Sequence, residues 1–164
     1  MGLREGMKIG DFGAGTGHFS IAAAHVVGTS GRVYAIDIQE EILTHLHDSA
    51  LRNGHKNIET IWGNIEKRGG TKLRSESLDG VIISNTVFQL EHKEEAIKEI
   101  IRVMKHGGKL LVIDWAGSYG GIGPDPDHVV SEHQAEELFI TGGFYKVKDF
   151  RAGPHHYAIL FTAP

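Results

Sequence analysis

The chain has 164 residues, 40% hydrophobic and 23% charged, with a formal net charge of -4. That length supports one domain over 1–164 with a single core, and the acidic balance speaks against an extended electrostatic grip on nucleic acid. No cysteine is present, which removes disulfide frameworks, zinc-thiolate sites and iron–sulfur radical chemistry.

No apolar run approaches the ~20 residues of a membrane span, and no basic-then-apolar leader pattern opens the chain. A cytoplasmic protein without membrane contact is therefore expected. Apolar runs alternate with helical periodicity, the pattern of a parallel sheet with helices on both faces. The first strand is expected at Lys8–Phe12 and runs into a glycine-rich turn; a helix over His18–Val27 then stops at Gly28. A second strand, Val33–Asp37, is followed by a helix over Glu40–Arg52, whose leading acids suit a helix N-terminus. Strands three and four are expected at Ile58–Trp62 and Leu78–Ser84. Between them Lys67–Arg74 is locally basic, which reads as a solvated loop. Ala96, Ile97, Ile100, Ile101 and Met104 recur at helical spacing, so an amphipathic helix is expected over Lys93–Lys105, ended by Gly107-Gly108. Strand five is expected at Lys109–Asp114, a last helix at Glu132–Thr141, and a closing hairpin from Tyr145–Phe150 and Tyr157–Thr162.

The most informative stretch is Ile9-Gly10-Asp11-Phe12-Gly13-Ala14-Gly15-Thr16-Gly17, with Asp37 ending the next strand. Glycines at alternate positions allow a tight turn and leave no Cβ between main chain and ligand. An acid about 20 residues on sits where it accepts hydrogen bonds from a ribose. The dinucleotide fingerprint needs a further glycine where His18 stands. Asp11, two residues before the first glycine of the turn, would repel a pyrophosphate but suits a ligand carrying an ammonium group. The pattern therefore favours S-adenosylmethionine, which has adenine, ribose, a sulfonium and an α-amino group but no phosphate, over NAD.

These residues resemble the class I S-adenosylmethionine-dependent methyltransferases, particularly small members similar to the quinone-biosynthesis C-methyltransferases. Asp11–Gly17 matches the first motif of that family and Asp37 its ribose acid. Trp62-Gly63-Asn64-Ile65 is similar to the adenine-contacting turn, with Asn64 where Asp is usual; its carbonyl oxygen is expected to accept from the adenine amino group. Leu78–Leu90 and Met104–Trp115 resemble the motifs around strands four and five. The resemblance implies a Rossmann-like doubly wound sheet, mostly parallel with an antiparallel last strand, and S-adenosylmethionine as cofactor. It implies a cofactor site made of Asp11, Gly13, Ala14, Gly15, Thr16, Gly17, Asp37, Ile38, Asn64, Ile65, Ser84, Asn85 and Phe88. Thiol-dependent arsenite methylation, a branch of the family, is excluded by the missing cysteines. The helices that family members carry ahead of strand one are not expected here, since Met1–Met7 alone precede it. An open site is expected, covered by the segment Ala116–Val130 with help from a homodimer partner.

In an open α/β sheet, ligands sit beyond the carboxyl ends of the parallel strands. Ser84–Gln89, Asp114-Trp115 with the loop that follows, and His155-His156-Tyr157 of the closing hairpin should converge there. Methyl transfer needs alignment and, for an acceptor of high pKa, a base; histidine, with an ordinary pKa near ~6.5, suits that role. The catalytic candidates are His156, then His155, then His128, with Asp114 as the carboxylate that orients one of them. The ligand types near Asp114 and His128 lack a diagnostic metal spacing, so no metal is expected. The acceptor is expected to be a small molecule; an RNA or protein acceptor, or cofactor binding without catalysis, are the alternatives.

Overall fold

The computed structural model describes residues 1–164, which form seven strands and four α-helices. In chain order these are β1 Lys8–Phe12, α1 His18–Val27, β2 Arg32–Asp37, α2 Glu40–Arg52, β3 Ile58–Trp62, β4 Leu78–Ser84, α3 Lys93–Val103, β5 Met104–Trp115, α4 Glu132–Thr141, β6 Tyr145–Arg151 and β7 His156–Thr162. The strands build one sheet in the order β3-β2-β1-β4-β5-β7-β6. β1 to β5 pair in parallel, while β7 runs antiparallel to both β5 and β6. The order reverses direction between β1 and β4, the kind of switch point where ligands of open α/β sheets bind.

The central strands are apolar on both faces because both faces are covered. In β4, Val81 and Ile83 enter a core shared with α3 and α4, whereas Ile82 enters the core under α1 and α2. Each such side chain, fully buried, contributes about 1.5–3 kcal/mol. The first core holds Phe139, Phe144 and Phe161, whose ring centroids lie 5.4 to 6.2 Å apart and fasten α4 to the antiparallel end of the sheet. Ahead of β1, Met1, Leu3 and Met7 pack against the second core.

The expected elements are present; several strand ends differ by one residue, and the larger displacement is where α3 passes into β5. α3 stops at Val103, not at Lys105, and Gly107-Gly108 lies inside β5. Met104 pairs with Leu78 in the β4–β5 ladder, with a register shift before Gly80, and Lys105 pairs with Asp79 at 2.6 Å. Sheet pairing thus claims two residues that helical periodicity assigned to α3.

Candidate active site

The turn after β1 is built by glycine where nothing larger fits. Gly13 (φ 73°) passes so close to Thr86 that a Cβ would lie 2.2 Å from its Oγ1. Gly17 (φ 84°) begins α1, and a Cβ there would meet Leu46 at 2.6 Å. The loop is tied to β2 by Gly13 and Ala14, whose N–H groups donate to the Ile36 carbonyl at 2.8 and 3.0 Å. The Gly15 N–H donates to Asp37 Oδ2 at 3.0 Å, and Gln39 N–H to Asp37 Oδ1 at 3.0 Å. One lone pair on each oxygen is thereby used to fix the carboxylate, and the others remain for hydroxyl groups.

Around this loop lies a cavity of about 480 Å³ at the carboxyl ends of β1, β2 and β4. Asp11, Gly13, Ala14, Gly15 and Thr16 line one end, Asp37 and Ile38 the middle, and Asn64, Ile65, Ser84 and Asn85 complete the wall. Eleven of the thirteen expected cofactor residues are therefore brought together. Gly17 is not among the lining residues; it starts the helix. Phe88 is also absent from this wall and lines a neighbouring cleft instead, because Val87–Gln89 forms a 3-10 turn that carries its side chain past the rim. Gly63 of the expected adenine turn and Thr86 and Gln89 of the Ser84–Gln89 stretch also line the cavity, as do His18, Phe19, Gln39, Ile42, Glu66 and Leu90, which were not anticipated as ligand contacts. Their proximity to the motifs was the only available signal.

Three polar side chains set the chemistry of the cavity. Asp11 is 2% exposed and accepts from the Ser20 hydroxyl at 2.6 Å. Burial raises its pKa to about 6, against the lowering effect of the Ser20 bonds. An ammonium group held nearby would restore the ionised form. Asn64 Oδ1 accepts from the Glu66 N–H at 2.8 Å and closes the turn, which fixes the amide and leaves its second lone pair for a further donor. Asn85 stands in the left-handed region (φ 52°), donates its N–H to Ile113 and leaves its side-chain oxygen buried without a partner. Left-handed backbone at a residue other than glycine costs about 1 kcal/mol or more and persists where the surroundings impose it.

The expected catalytic residues lie at the same edge but not in the cavity wall. β5 ends at Trp115, which pairs with His156 at the start of β7; the two rings lie 4.2 Å apart. His155 stacks on Tyr119 at 4.3 Å. His155 Nδ1 and His156 Nε2 are buried without partners, and with Asn85 Oδ1 they are the three such side-chain atoms in the protein. All three sit at the carboxyl edge, on or beside the neighbouring strands β4, β5 and β7. Burial, together with the charge of His155, lowers the pKa of His156. Asp114 does not orient either histidine. It accepts from the N–H groups of Trp115 at 2.8 Å and Phe88 at 3.3 Å, and burial raises its pKa to about 6. Its place is under the 3-10 turn, as an anchor of the loop after β4.

His128 lines the neighbouring cleft, also about 480 Å³, with Phe88, Lys93, Val129 and Val130. The cleft shares Gln89 and Leu90 with the main cavity. Of the Ala116–Val130 segment, no residue lines the main cavity; its Tyr119 covers His155 and its end walls the cleft.

The glycine turn, the acid closing β2 and the strand order together define a Rossmann-like domain with a nucleoside-sized site at its switch point. Comparison with known proteins agrees. The family model described as "Methyltransferase domain" matches residues 3–145. The ubiquinone/menaquinone biosynthesis C-methyltransferase of Pseudomonas entomophila is 34% identical over 116 residues, 70% of this chain and 44% of that protein. This chain thus spans less than half the length of that curated relative. A crystal structure of an S-adenosylmethionine-dependent methyltransferase from Aquifex aeolicus superposes with a TM-score of 0.91 at 28% identity, covering 99% of this chain and 85% of that one. The [4+2]-cyclase SpnF shares the fold, with a TM-score of 0.83 at 16% identity over 99% of this chain and 76% of its own. The chain belongs to the methyltransferase-domain family, as a class I S-adenosylmethionine-dependent member.

Proposed function

We propose that this protein transfers the methyl group of S-adenosylmethionine to carbon in a small-molecule acceptor. The observation that carries the reading is the buried, unpartnered oxygen of Asn85, held by a left-handed backbone at the wall of a cavity whose other polar groups suit the cofactor. When bound, the cofactor supplies an electrophilic methyl on a positively charged sulfur. Asp11 suits its ammonium group, Asp37 its ribose hydroxyls, and Ile65 with the Asn64 turn its base. Asn85 offers an uncharged oxygen, which attracts a sulfonium less than a carboxylate would and so stabilises the ground state less. Alignment of the acceptor and exclusion of water supply the rest of the rate.

A carbon acceptor is supported by the curated relatives, which are C-methyltransferases of ubiquinone and menaquinone biosynthesis. The cleft that shares Gln89 and Leu90 with the cavity is the acceptor's seat, its apolar side being Phe88, Val129 and Val130. We assign removal of the acceptor proton to the His155–His156 pair, whose unpartnered nitrogens and depressed His156 pKa keep a neutral imidazole at neutral pH. His128, which lines the cleft, is the competing base.

Labelled-methyl assays against metabolite pools and total RNA test both parts. Label should enter the metabolite fraction, and His156→Ala or His155→Ala should lower turnover about 100-fold with unchanged cofactor affinity. Full turnover in both, with loss in His128→Ala, transfers the role to His128. Label in RNA alone would replace the small-molecule reading, and cofactor binding without any labelled product would indicate a non-catalytic module.

A further inference from the structure

At the opposite edge of the sheet from the cofactor cavity, the start of β2 and the residues before β3 enclose a second pocket of about 290 Å³. Its wall includes His25, Arg32, His55 and Lys56, with Thr29 and Asn57, and no acidic residue. The His25 and His55 rings meet edge to face at 6.4 Å. None of the four basic side chains makes a hydrogen bond or ion pair within the chain. In a protein of net charge -4 this is a concentrated, unpaired positive corner.

Cations often gather at helix C-termini to serve the last carbonyl groups, and α1 and α2 both end here. Several of those carbonyls are already served. Asn57 donates to the Ala24 and Gly28 carbonyls at 2.9 and 2.8 Å, and Asn53 donates to Ser49 at 2.8 Å. The Gly54 and His55 N–H groups take the Leu51 and Ala50 carbonyls at 3.0 and 2.9 Å. Glu5, an acid near Gly28 at the pocket's edge, accepts from the Ser30 hydroxyl at 3.4 Å. These four basic side chains therefore have no assigned partner in the fold.

We propose that this pocket binds a phosphate group carried by a small molecule. Arg32 offers a planar fork of donors matched to two phosphate oxygens, Lys56 a point charge, and the two imidazoles further donors when protonated. The charge balance of the whole chain favours a small phosphate over a nucleic-acid backbone, which needs an extended basic track. The site is separate from the cofactor: Arg32 begins the strand that Asp37 ends, ~16 Å away along β2.

Titration with inorganic phosphate and with glycerol phosphate, followed by the ring resonances of His25 and His55, tests this. Saturable shifts are expected at constant ionic strength, weakened about tenfold by Arg32→Gln and by Lys56→Gln, unaffected by Lys67→Gln and preserved in Asp37→Ala. Tighter binding of glycerol phosphate identifies an ester as the ligand; equal binding identifies the ion. Both variants alter exposed side chains, so unchanged melting temperatures separate lost binding from lost folding. Shifts reproduced by chloride, or by single-stranded RNA while both small phosphates fail, would overturn the proposal.

Discussion

Asp11 is the residue where fold and function oppose each other most directly. It accepts from Ser20 and is almost wholly enclosed, so ionising it in the free protein is unfavourable, and its pKa stands at about 6. The folded state therefore holds a proton that the unfolded chain has released between about pH 4 and pH 6. Stability contributed by this group is full below that window and is lost as pH rises through it. Asp11→Asn should stabilise the unliganded protein by about 1–3 kcal/mol at pH 7.5, and the gain should vanish near pH 4; denaturant melts at the two pH values measure it. Ligand binding has the opposite sign. The ammonium group favours ionised Asp11, so cofactor affinity should rise with pH up to about 6 and then level, a dependence absent in Asp11→Asn. Affinity that is flat between pH 5 and 8 in the unaltered protein would separate Asp11 from the ligand. The sequence made Asp11 legible through its place before the glycines. Asn64 was legible as a position but not as a bond, because an amide's partner depends on how the next two residues turn.

At the scale of elements, the segment after β3 owes its shape to α3. Glu99, 1% exposed, accepts from Gly69 N–H at 2.8 Å, from Thr71 N–H at 3.2 Å and its hydroxyl at 2.6 Å, and from Arg102 at 2.7 Å. Burial alone would raise its pKa, but the bonds from Arg102, Thr71 and Gly69 outweigh it and hold the group at about 2. Arg102 continues to the Leu73 carbonyl at 3.0 Å. Between these anchors Gly70 lies against the cavity wall; a Cβ on it would fall 1.9 Å from the Asn64 carbonyl oxygen. Arg102→Ala leaves a buried carboxylate uncompensated and should destabilise by about 3–5 kcal/mol. Gly70→Ala should instead weaken adenosine binding about tenfold or more while leaving free methionine unaffected, read by calorimetry. The ion pair was invisible to sequence reading because i, i+3 Glu–Arg pairs on a helix are usually surface pairs. The end of α3 was misplaced for a related reason: Met104 answers to Leu78 on another strand, and periodicity carries no information about that partner.

Across the whole molecule, the parallel sheet and the convergence at its carboxyl edge were legible because alternating strand and helix signals leave few topologies, while the antiparallel β7 followed from the family resemblance. What the pattern left open is which convergent groups touch. His155, His156 and Asp114 meet the carboxyl edge as expected, yet Asp114 turns to the 3-10 loop and the histidines are covered by Trp115 and Tyr119. The basic pocket at the far edge was unreadable for the same reason, since its basic side chains come from α1, β2 and the approach to β3. The methyltransferase reading depends on a nucleoside cavity that reads an ammonium group and a ribose, with no provision for pyrophosphate. Calorimetry with S-adenosylhomocysteine and NAD, on the unaltered protein and on Asp37→Ala, tests that most directly. One S-adenosylhomocysteine per chain should bind, at least tenfold more weakly in Asp37→Ala, with no heat from NAD. Undiminished binding to Asp37→Ala, or NAD binding of equal strength, would contradict the account.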